Sequence, residues 1–241
     1  MNQAHAITCH ELFRKFGTVL AVNNLTFSVP YGKIFGLMGP NGAGKTTTLR
    51  MISGILPPTS GNCDVAGFDV YSQRNDVKRI SGLLPESSGI YQSLTAREFL
   101  LFIGSLYRIP MSKITNKIDF YFDFLDFQDE AIILSDLSRG QRQKTMFIAS
   151  VINDPLVLLL DEPIATLDPF VAHRLKNHIK TLSDGRAIII SSHNAMLIEE
   201  LCDEVLFMSK GSTLAIGTPT SLKSTFNTDT LEKCYLSAVG G

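Results

Sequence analysis

The 241-residue sequence lacks the features that would place it inside a membrane or direct it out of a cell. Its apolar runs fall short of the roughly 20 residues that a helix needs to cross a bilayer. The N-terminal stretch has no basic start followed by an apolar segment, so we expect no signal peptide. We therefore expect a soluble chain, and work at a membrane would require a different polypeptide to supply the spanning part.

Charge and cysteine are also limited. The formal net charge is −1, which argues against a protein that holds nucleic acid by bulk positive charge. The four cysteines lie far apart and form no CxxC pair, a pattern typical of free thiols in a reducing compartment. The hydrophobic content of 44% is enough for one substantial core, and we find no internal repeat.

Three blocks follow one another along this chain, which we interpret as a single domain over residues 1–241. Residues 1–88 alternate strand-like runs with turns, and the apolar run 34–39 predicts a buried strand that leads into a helix. Residues 89–154 read as a helical insertion, whose first helix should begin with a capping box formed by Thr95 and Glu98. In residues 155–241 strands and helices alternate again, which favours a mainly parallel sheet covered on both faces.

A glycine-rich loop indicates a phosphate site. Residues 39–46 read GPNGAGKT and fit the pattern G-x-x-x-x-G-K-[ST], between a predicted strand and a predicted helix. Glycines let backbone N–H groups surround phosphate oxygens, and the helix N-terminus adds partial positive charge. Lys45 is then predicted to meet the β- and γ-phosphates, and the Thr46 hydroxyl to ligate Mg²⁺. The plainer alternative is a glycine-rich turn with a surface lysine. The predicted nucleotide contacts are Gly39, Pro40, Asn41, Gly42, Ala43, Gly44, Lys45, Thr46 and Thr47.

Two acids follow a second apolar run. Residues 156–160 predict a buried strand that delivers Asp161 and Glu162 to its C-terminal end, where α/β proteins bind ligands. Asp161 is predicted to hold Mg²⁺ directly or through water. Glu162 is predicted to polarise the attacking water as a catalytic base. The alternative is a solvated acid pair that ends a strand.

A third motif indicates the class of nucleotide protein. The stretch DLSRGQRQK (136–144) resembles the LSGGQ signature of ABC ATPases, and further landmarks of that family then follow in order over nearly the whole chain. The resemblance implies an α/β P-loop NTPase fold with a mainly parallel sheet, an N-terminal antiparallel β subdomain and a helical subdomain. It also implies ATP and Mg²⁺ as cofactors. In that family the signature faces the nucleotide of a second copy, so the resemblance implies γ-phosphate contacts across a dimer from Ser138, Gly140 and Gln141. Arg139 departs from the glycine of the family.

The same resemblance assigns three more residues. His193 matches the switch histidine that senses the γ-phosphate, and it joins Glu162 and Lys45 as a predicted catalytic residue. Asp168 lies in a D-loop-like ATLDP stretch and would shape the opposite site across the dimer. As a bare feature it is also a good N-cap before Pro169. Phe16 resembles the aromatic residue that stacks on adenine, although it could equally be a core phenylalanine beside a turn.

Other positions leave alternatives open. Where the family usually has a glutamine that ligates Mg²⁺, this chain has Glu86, and Gln92 is the substitute candidate. Export-type members look similar at this point. His173 and His178 are assigned to a solvated helix face rather than to a metal site. Most rings of the phenylalanine-rich helical block should form its core, and a minority could line a groove for a helix of a membrane subunit. These rings are Phe99, Phe102, Phe120, Phe122, Phe124 and Phe127.

The resemblance thus implies an ATP-hydrolysing subunit of an ABC transporter, of the export type. It would work as a homodimer or heterodimer with a separate transmembrane permease, peripheral at the cytoplasmic face of a membrane, with no nucleic acid as partner. The alternative is a soluble ABC ATPase that acts on ribosomes, DNA or another cytosolic assembly. A small-molecule kinase would leave LSRGQ and His193 unexplained.

Overall fold

The computed structural model describes residues 5–86, 91, 93–128 and 130–240. Its strands are β1 (His5–Phe16), β2 (Val19–Pro30), β3 (Ile34–Met38), β4 (Ser60–Val65), β5 (Phe68–Asp69), β6 (Ser81–Leu84), β7 (Val157–Asp161), β8 (Ala187–Ser192), β9 (Glu204–Ser209) and β10 (Ser212–Gly217). Its helices are α1 (Lys45–Ile52), α2 (Arg74–Ile80), α3 (Ala96–Leu106), α4 (Met111–Phe124), α5 (Arg139–Val151), α6 (Pro169–Leu182), α7 (Ala195–Leu201), α8 (Pro219–Thr225) and α9 (Leu231–Gly240).

The strands form two sheets. An antiparallel sheet has the order β2-β1-β4-β5, and a larger sheet has the order β10-β9-β3-β8-β7-β6. Within the larger sheet β6, β7, β8, β3 and β9 are parallel, and only β10 runs antiparallel to its neighbour. This arrangement confirms the predicted fold class, including the antiparallel N-terminal sheet.

The central strands of the larger sheet are apolar because both of their faces are covered. Every residue of β3, β7 and β8 is buried. Alternate residues of β7 enter different cores: Leu158 and Leu160 pack on the side of the helical block, whereas Val157 and Leu159 pack on the side of the antiparallel sheet. The sheet therefore holds the C-terminal ends of its strands between two layers, and the predicted site residues follow those ends.

The first helix of the helical block, residues 89–154, also begins as predicted. Thr95 caps α3, its side chain accepts from the Glu98 N–H, and the Glu98 carboxylate reaches back to the Thr95 N–H, which confirms the capping box. Of the six phenylalanine rings, Phe99, Phe122 and Phe127 are buried, whereas Phe120 is 54% exposed. Within the described part of the chain, no helix is long and apolar enough to cross a membrane.

The assignment of both α6 histidines to a solvated face is wrong for His178. His173 is exposed, but the His178 ring lies 4.8 Å from the Phe124 ring, and its Nε2 is 3.0 Å from the Tyr121 hydroxyl oxygen. The α6 sequence suggested an outer face because the pattern of a single helix does not reveal which other element packs against it. Here α4 of the helical block packs against that face and covers His178.

Candidate functional site

The loop between β3 and α1 has a backbone that requires glycine. Gly42 and Gly44 adopt φ values of 80° and 103°, in the region that other residues rarely enter. A Cβ atom on Gly44 would also lie 2.4 Å from the carbonyl oxygen of Ala21. The loop leads directly into the N-terminus of α1, where an anion is favoured.

Lys45 is folded into this loop. Its Nζ atom donates to the carbonyl oxygens of Gly39 (2.7 Å) and Pro40 (3.1 Å), and the residue is only 6% exposed. Burial lowers the pKa of Lys45, while the neighbouring carboxylates of Glu162, Asp161 and Glu86 act to raise it. The ammonium group thus lies between loop carbonyls and acids, next to the space that a phosphate would occupy.

Asp161 is held from two sides. The Thr46 hydroxyl donates to Oδ2 at 2.6 Å, and the Ser191 hydroxyl donates to Oδ1. The aspartate is 2% exposed. The pairing of Asp161 with Thr46 brings together two oxygen donors of the kind that Mg²⁺ prefers.

Glu162, the next residue, contacts Ser192 and His193 rather than the partners of Asp161. Its φ of 49° lies in the left-handed region, a strained conformation for glutamate that is frequent at functional sites. Oε2 accepts from the Ser192 hydroxyl at 2.7 Å, while Oε1 accepts from the His193 backbone N–H at 2.8 Å and lies 2.6 Å from Nδ1 of His193. The side chain of Glu162 is 11% exposed and that of His193 is 60% exposed. Glu162 is therefore fixed, whereas the His193 ring faces solvent.

The glycine-rich loop and the two acids share one cavity of about 330 Å³. Its lining includes Phe16, Lys45, Glu86, Asp161 and Glu162. Phe16 ends β1 with 44% of its surface exposed, so it is not a core residue. A cleft of this volume, lined by an aromatic residue and by charged groups, is suited to a nucleotide-sized ligand.

The predicted contacts from the signature and the D-loop-like stretch lie at the starts of α5 and α6. Ser138 caps α5 in a capping box with Gln141, and Asp168 caps α6 by accepting from the Val171 N–H at 3.0 Å. The two loops adjoin, since a Cβ on Gly140 would lie 2.9 Å from the carbonyl oxygen of Thr166. Among the described residues that line the 330 Å³ cavity, none belongs to the signature or the D-loop-like stretch.

A family model described as ABC transporter matches residues 22–165, which contain the glycine-rich loop, the signature and both acids. The chain belongs to the ABC transporter family. It is an ATPase of that family. The linearmycin resistance ATP-binding protein LnrL of Bacillus subtilis (strain 168) is 31% identical over 97% of this chain and 76% of its own length.

Further relatives cover the chain almost as fully. The Nod factor export ATP-binding protein I of Rhizobium sp. (strain N33) is 34% identical over 90% of this chain and 72% of its own length. A solved structure described as the ATP binding subunit of an ABC transporter has a TM-score of 0.90, with 24% identity over 97% of this chain and 99% of that one. The structural likeness supports the ABC ATPase fold.

The two departures from the ABC motifs lie together. Glu86 and Arg139 both line a second cavity, of about 360 Å³, which also contacts Glu162 and His193. Glu86 additionally lines the cavity that holds Lys45. The substitute candidate Gln92 lies outside the described residues. Glu86 therefore shares a cavity with Thr46 and Asp161, the other two predicted metal ligands.

Three residues of the site were not predicted from the sequence. Ser191 and Ser192 orient the two acids, and the Gln143 side-chain amide donates to the backbone carbonyl of Glu162 at 3.1 Å. The two serines directly precede His193 at the end of an apolar strand, and this position was a signal that they would face the same strand end as the acids. Gln143 connects α5 of the helical block to the acid pair.

Proposed function

We propose that this chain is the ATP-hydrolysing subunit of an ABC exporter, which closes on a second nucleotide-binding subunit and drives a separate membrane permease. It would lie at the cytoplasmic face of the membrane. Membership of the ABC transporter family and the ATPase class support an ATP-hydrolysing subunit. The export direction is supported by relatives whose names refer to Nod factor export and to linearmycin resistance.

One observation carries the proposed dimer. Lys45, Asp161 and Glu162 converge on one cavity, whereas Ser138 of the same chain lies outside its lining. A nucleotide in that cavity would present its γ-phosphate at the surface beside His193. The start of α5 in a second subunit, capped by Ser138 and favourable to an anion, would complete the site. In the proposed dimer each subunit supplies one half of each site, with Asp168 adjoining the signature.

The acids and hydroxyls fit a magnesium ion. Thr46, Asp161 and Glu86 would hold it, because all three offer the hard oxygen ligands that Mg²⁺ requires. When bound, the ion would neutralise charge on the phosphates. Ser191 keeps Asp161 oriented toward Thr46, so the ligand pair is arranged by the protein itself.

Glu162 would act as the base. Its carboxylate would accept a proton from a water molecule aligned with the γ-phosphate, while Ser192 keeps one oxygen in place. His193 can leave Oε1 because its ring is largely exposed. We propose that it turns to the γ-phosphate when the second subunit closes. Lys45 would contribute a fixed positive charge to the phosphates, and Phe16 a surface for adenine.

Complementation tests the shared site directly. Lys45→Ala removes the phosphate lysine, and Ser138→Ala removes the predicted trans contact. Each variant alone should lose most ATPase activity. In a mixture, heterodimers would hold one site with both changes and one intact site, so activity should return to about a quarter of the wild-type value for random pairing. A mixture as inactive as its components would contradict the shared site.

A groove suits the proposed permease. A cavity of about 640 Å³ lies between the ends of α2 and α3, and it combines apolar walls with positive charge. Ile103, Leu106 and Ile109 supply the walls, and Leu106 is 63% exposed. Lys78 and Arg108 supply charge at the rim. We propose that it accepts a short amphipathic permease helix with an acidic face. None of the six phenylalanines of the helical block lines it.

Copurification distinguishes this function from the soluble alternative. The tagged chain, expressed in its native host and extracted in mild detergent, should recover a polytopic membrane protein. Leu106→Asp should lose that partner and keep basal ATPase activity, since Leu106 lines neither cavity that contacts the acids. The exposed apolar residue Ile55 provides the matched control Ile55→Asp. Recovery with ribosomes or nucleic acid instead would support the soluble ABC ATPase.

A further inference from the structure

Two cysteines of the antiparallel sheet face each other. Cys9 on β1 pairs with Cys63 on β4, 54 positions later, and their Sγ atoms are 2.7 Å apart. Both residues are 1% exposed. Cys202 and Cys234 are also free and buried, but the Cys234 Sγ contacts the Thr228 hydroxyl rather than a thiol. The Cys9–Cys63 pair has no part in the proposed ATP site.

The backbone geometry at this pair suits a covalent bond. The Ala66 N–H donates to the carbonyl of Ala6, so Ala6 and Ala66 form a hydrogen-bonded pair of the β1–β4 ladder. Because such pairs alternate in antiparallel sheets, Cys9 and Cys63 occupy a non-hydrogen-bonded position. The hydrogen bond of the Cys63 carbonyl is consistent with this position, since the carbonyl accepts from the Val70 N–H on the side away from β1.

Non-hydrogen-bonded partners have Cα atoms about 4.5 Å apart, which is within the range of about 4.4–6.8 Å that disulfides allow. The two side chains already point to the same face and touch. We propose that Cys9 and Cys63 are a thiol redox site in which the two residues form an intrachain disulfide. The oxidant would be a low-molecular-weight disulfide such as oxidised glutathione.

The thiol–disulfide exchange proceeds in two steps. The Cys63 thiolate attacks one sulfur of glutathione disulfide, forming a mixed disulfide and releasing one glutathione thiolate. The Cys9 thiolate then attacks Sγ of Cys63, forming the Cys9–Cys63 bond and releasing the second glutathione. Two electrons pass to the oxidant, and the two cysteine protons end on the two glutathione thiolates.

The site should react slowly in the folded protein. Burial and the neighbouring Cys63 raise the pKa of Cys9, which disfavours the reactive thiolate. Access lies along β4, because β5 pairs only with Asp64 and Val65 and leaves residues 60–62 exposed beside Cys63. Local opening of this strand should therefore control the rate, and urea below the unfolding transition should accelerate the reaction.

The test uses the full chain, reduced and then incubated with oxidised glutathione. Alkylation and mass spectrometry should show two of the four thiols lost, a mass decrease of about 2 Da, and one linked peptide pair joining Cys9 to Cys63. The oxidised chain should melt several degrees higher, because the bond closes a loop of more than 50 residues in the unfolded state.

Variants locate the bond. Cys202→Ala/Cys234→Ala should still lose two thiols, whereas Cys9→Ala and Cys63→Ala should form no intrachain bond. The proposal is overturned if four thiols survive prolonged incubation in sub-denaturing urea. It is also overturned if the product is only a stable glutathione adduct or a link to Cys202 or Cys234. Should Cys9→Ala fail to fold, the peptide map of the wild-type chain decides the matter alone.

Discussion

The Thr46 hydroxyl donates a 2.6 Å hydrogen bond to Oδ2 of Asp161, although 115 positions separate the two residues. Ser191, one strand over, donates to the other carboxylate oxygen. The buried aspartate is therefore positioned by one partner from the phosphate loop and one from β8. The orientation of the proposed metal ligands Thr46 and Asp161 therefore depends on Ser191. This serine belongs neither to the glycine-rich loop nor to the acid pair.

Ser191→Ala should weaken both the fold and the proposed metal site. The change removes a hydrogen bond to a buried carboxylate, so we expect about 1–3 kcal/mol less free energy of unfolding. It also frees Asp161 to rotate, which should raise the Mg²⁺ concentration for half-maximal ATPase activity. Urea unfolding and Mg²⁺ titration measure the two effects. Ser150→Ala is the matched control, since that buried hydroxyl donates to the Phe147 carbonyl. An unchanged Mg²⁺ requirement would contradict the positioning role.

Glu162→Gln should abolish turnover without preventing ATP-dependent dimerisation. Glutamine keeps the shape of the side chain and can still accept from Ser192, but it cannot take up a proton from water. We expect ATPase activity to fall by about 10²-fold or more. Light scattering after gel filtration with saturating ATP should show a dimer. A variant that stays monomeric and hydrolyses ATP normally would refute the proposed mechanism.

Glu86→Gln should raise the Mg²⁺ requirement of the ATPase several-fold, because a neutral amide oxygen is a weaker ligand for Mg²⁺ than a carboxylate. The carboxylate also acts on Lys45 electrostatically. Asp184→Asn removes an exposed carboxylate away from the cavity and serves as the control. Identical Mg²⁺ titrations for wild type and Glu86→Gln would exclude Glu86 as a ligand.

The fold was predictable because its strongest signals are local. The buried strands β3, β7 and β8 are uninterrupted apolar runs, and Thr95 with Glu98 fixes the start of α3 within four residues of sequence. The strands β4, β5, β6 and β10 and the helix α2 were not predicted. Short elements such as SGNCDV and SGLL are polar or glycine-containing, and they form strands only because neighbouring strands offer backbone partners.

The candidate site likewise has one part that the sequence predicts and another part that it does not. The glycine-rich loop and the acid pair carry their chemistry in consecutive residues, so they could be read from the sequence. The roles of Ser191, Ser192 and Gln143 depend on which side chains the sheet and α5 bring to one strand end. Single-segment periodicity contains no such information, and the same limitation produced the wrong environment for His178.

His178 should make stability depend on pH. Burial lowers its pKa below the ordinary value of 6.5, and the positive charge of Arg186 lowers it further. Between the folded and the unfolded pKa the unfolded chain binds a proton that the folded chain does not. Stability is therefore full above pH 6.5 and falls as the pH drops through that window, by at most about 1.4 kcal/mol per pH unit.

Urea unfolding at pH values from 7.5 to about 5 measures this slope. His178→Gln should flatten the slope, even if the loss of the Tyr121 contact lowers stability at every pH. His173→Gln, on the same helix but exposed, should leave the slope unchanged. Equal slopes for wild type and His178→Gln would show that the half-buried histidine does not control acid stability. The acidic residues then remain to be tested, since their protonation destabilises folded proteins in the same direction.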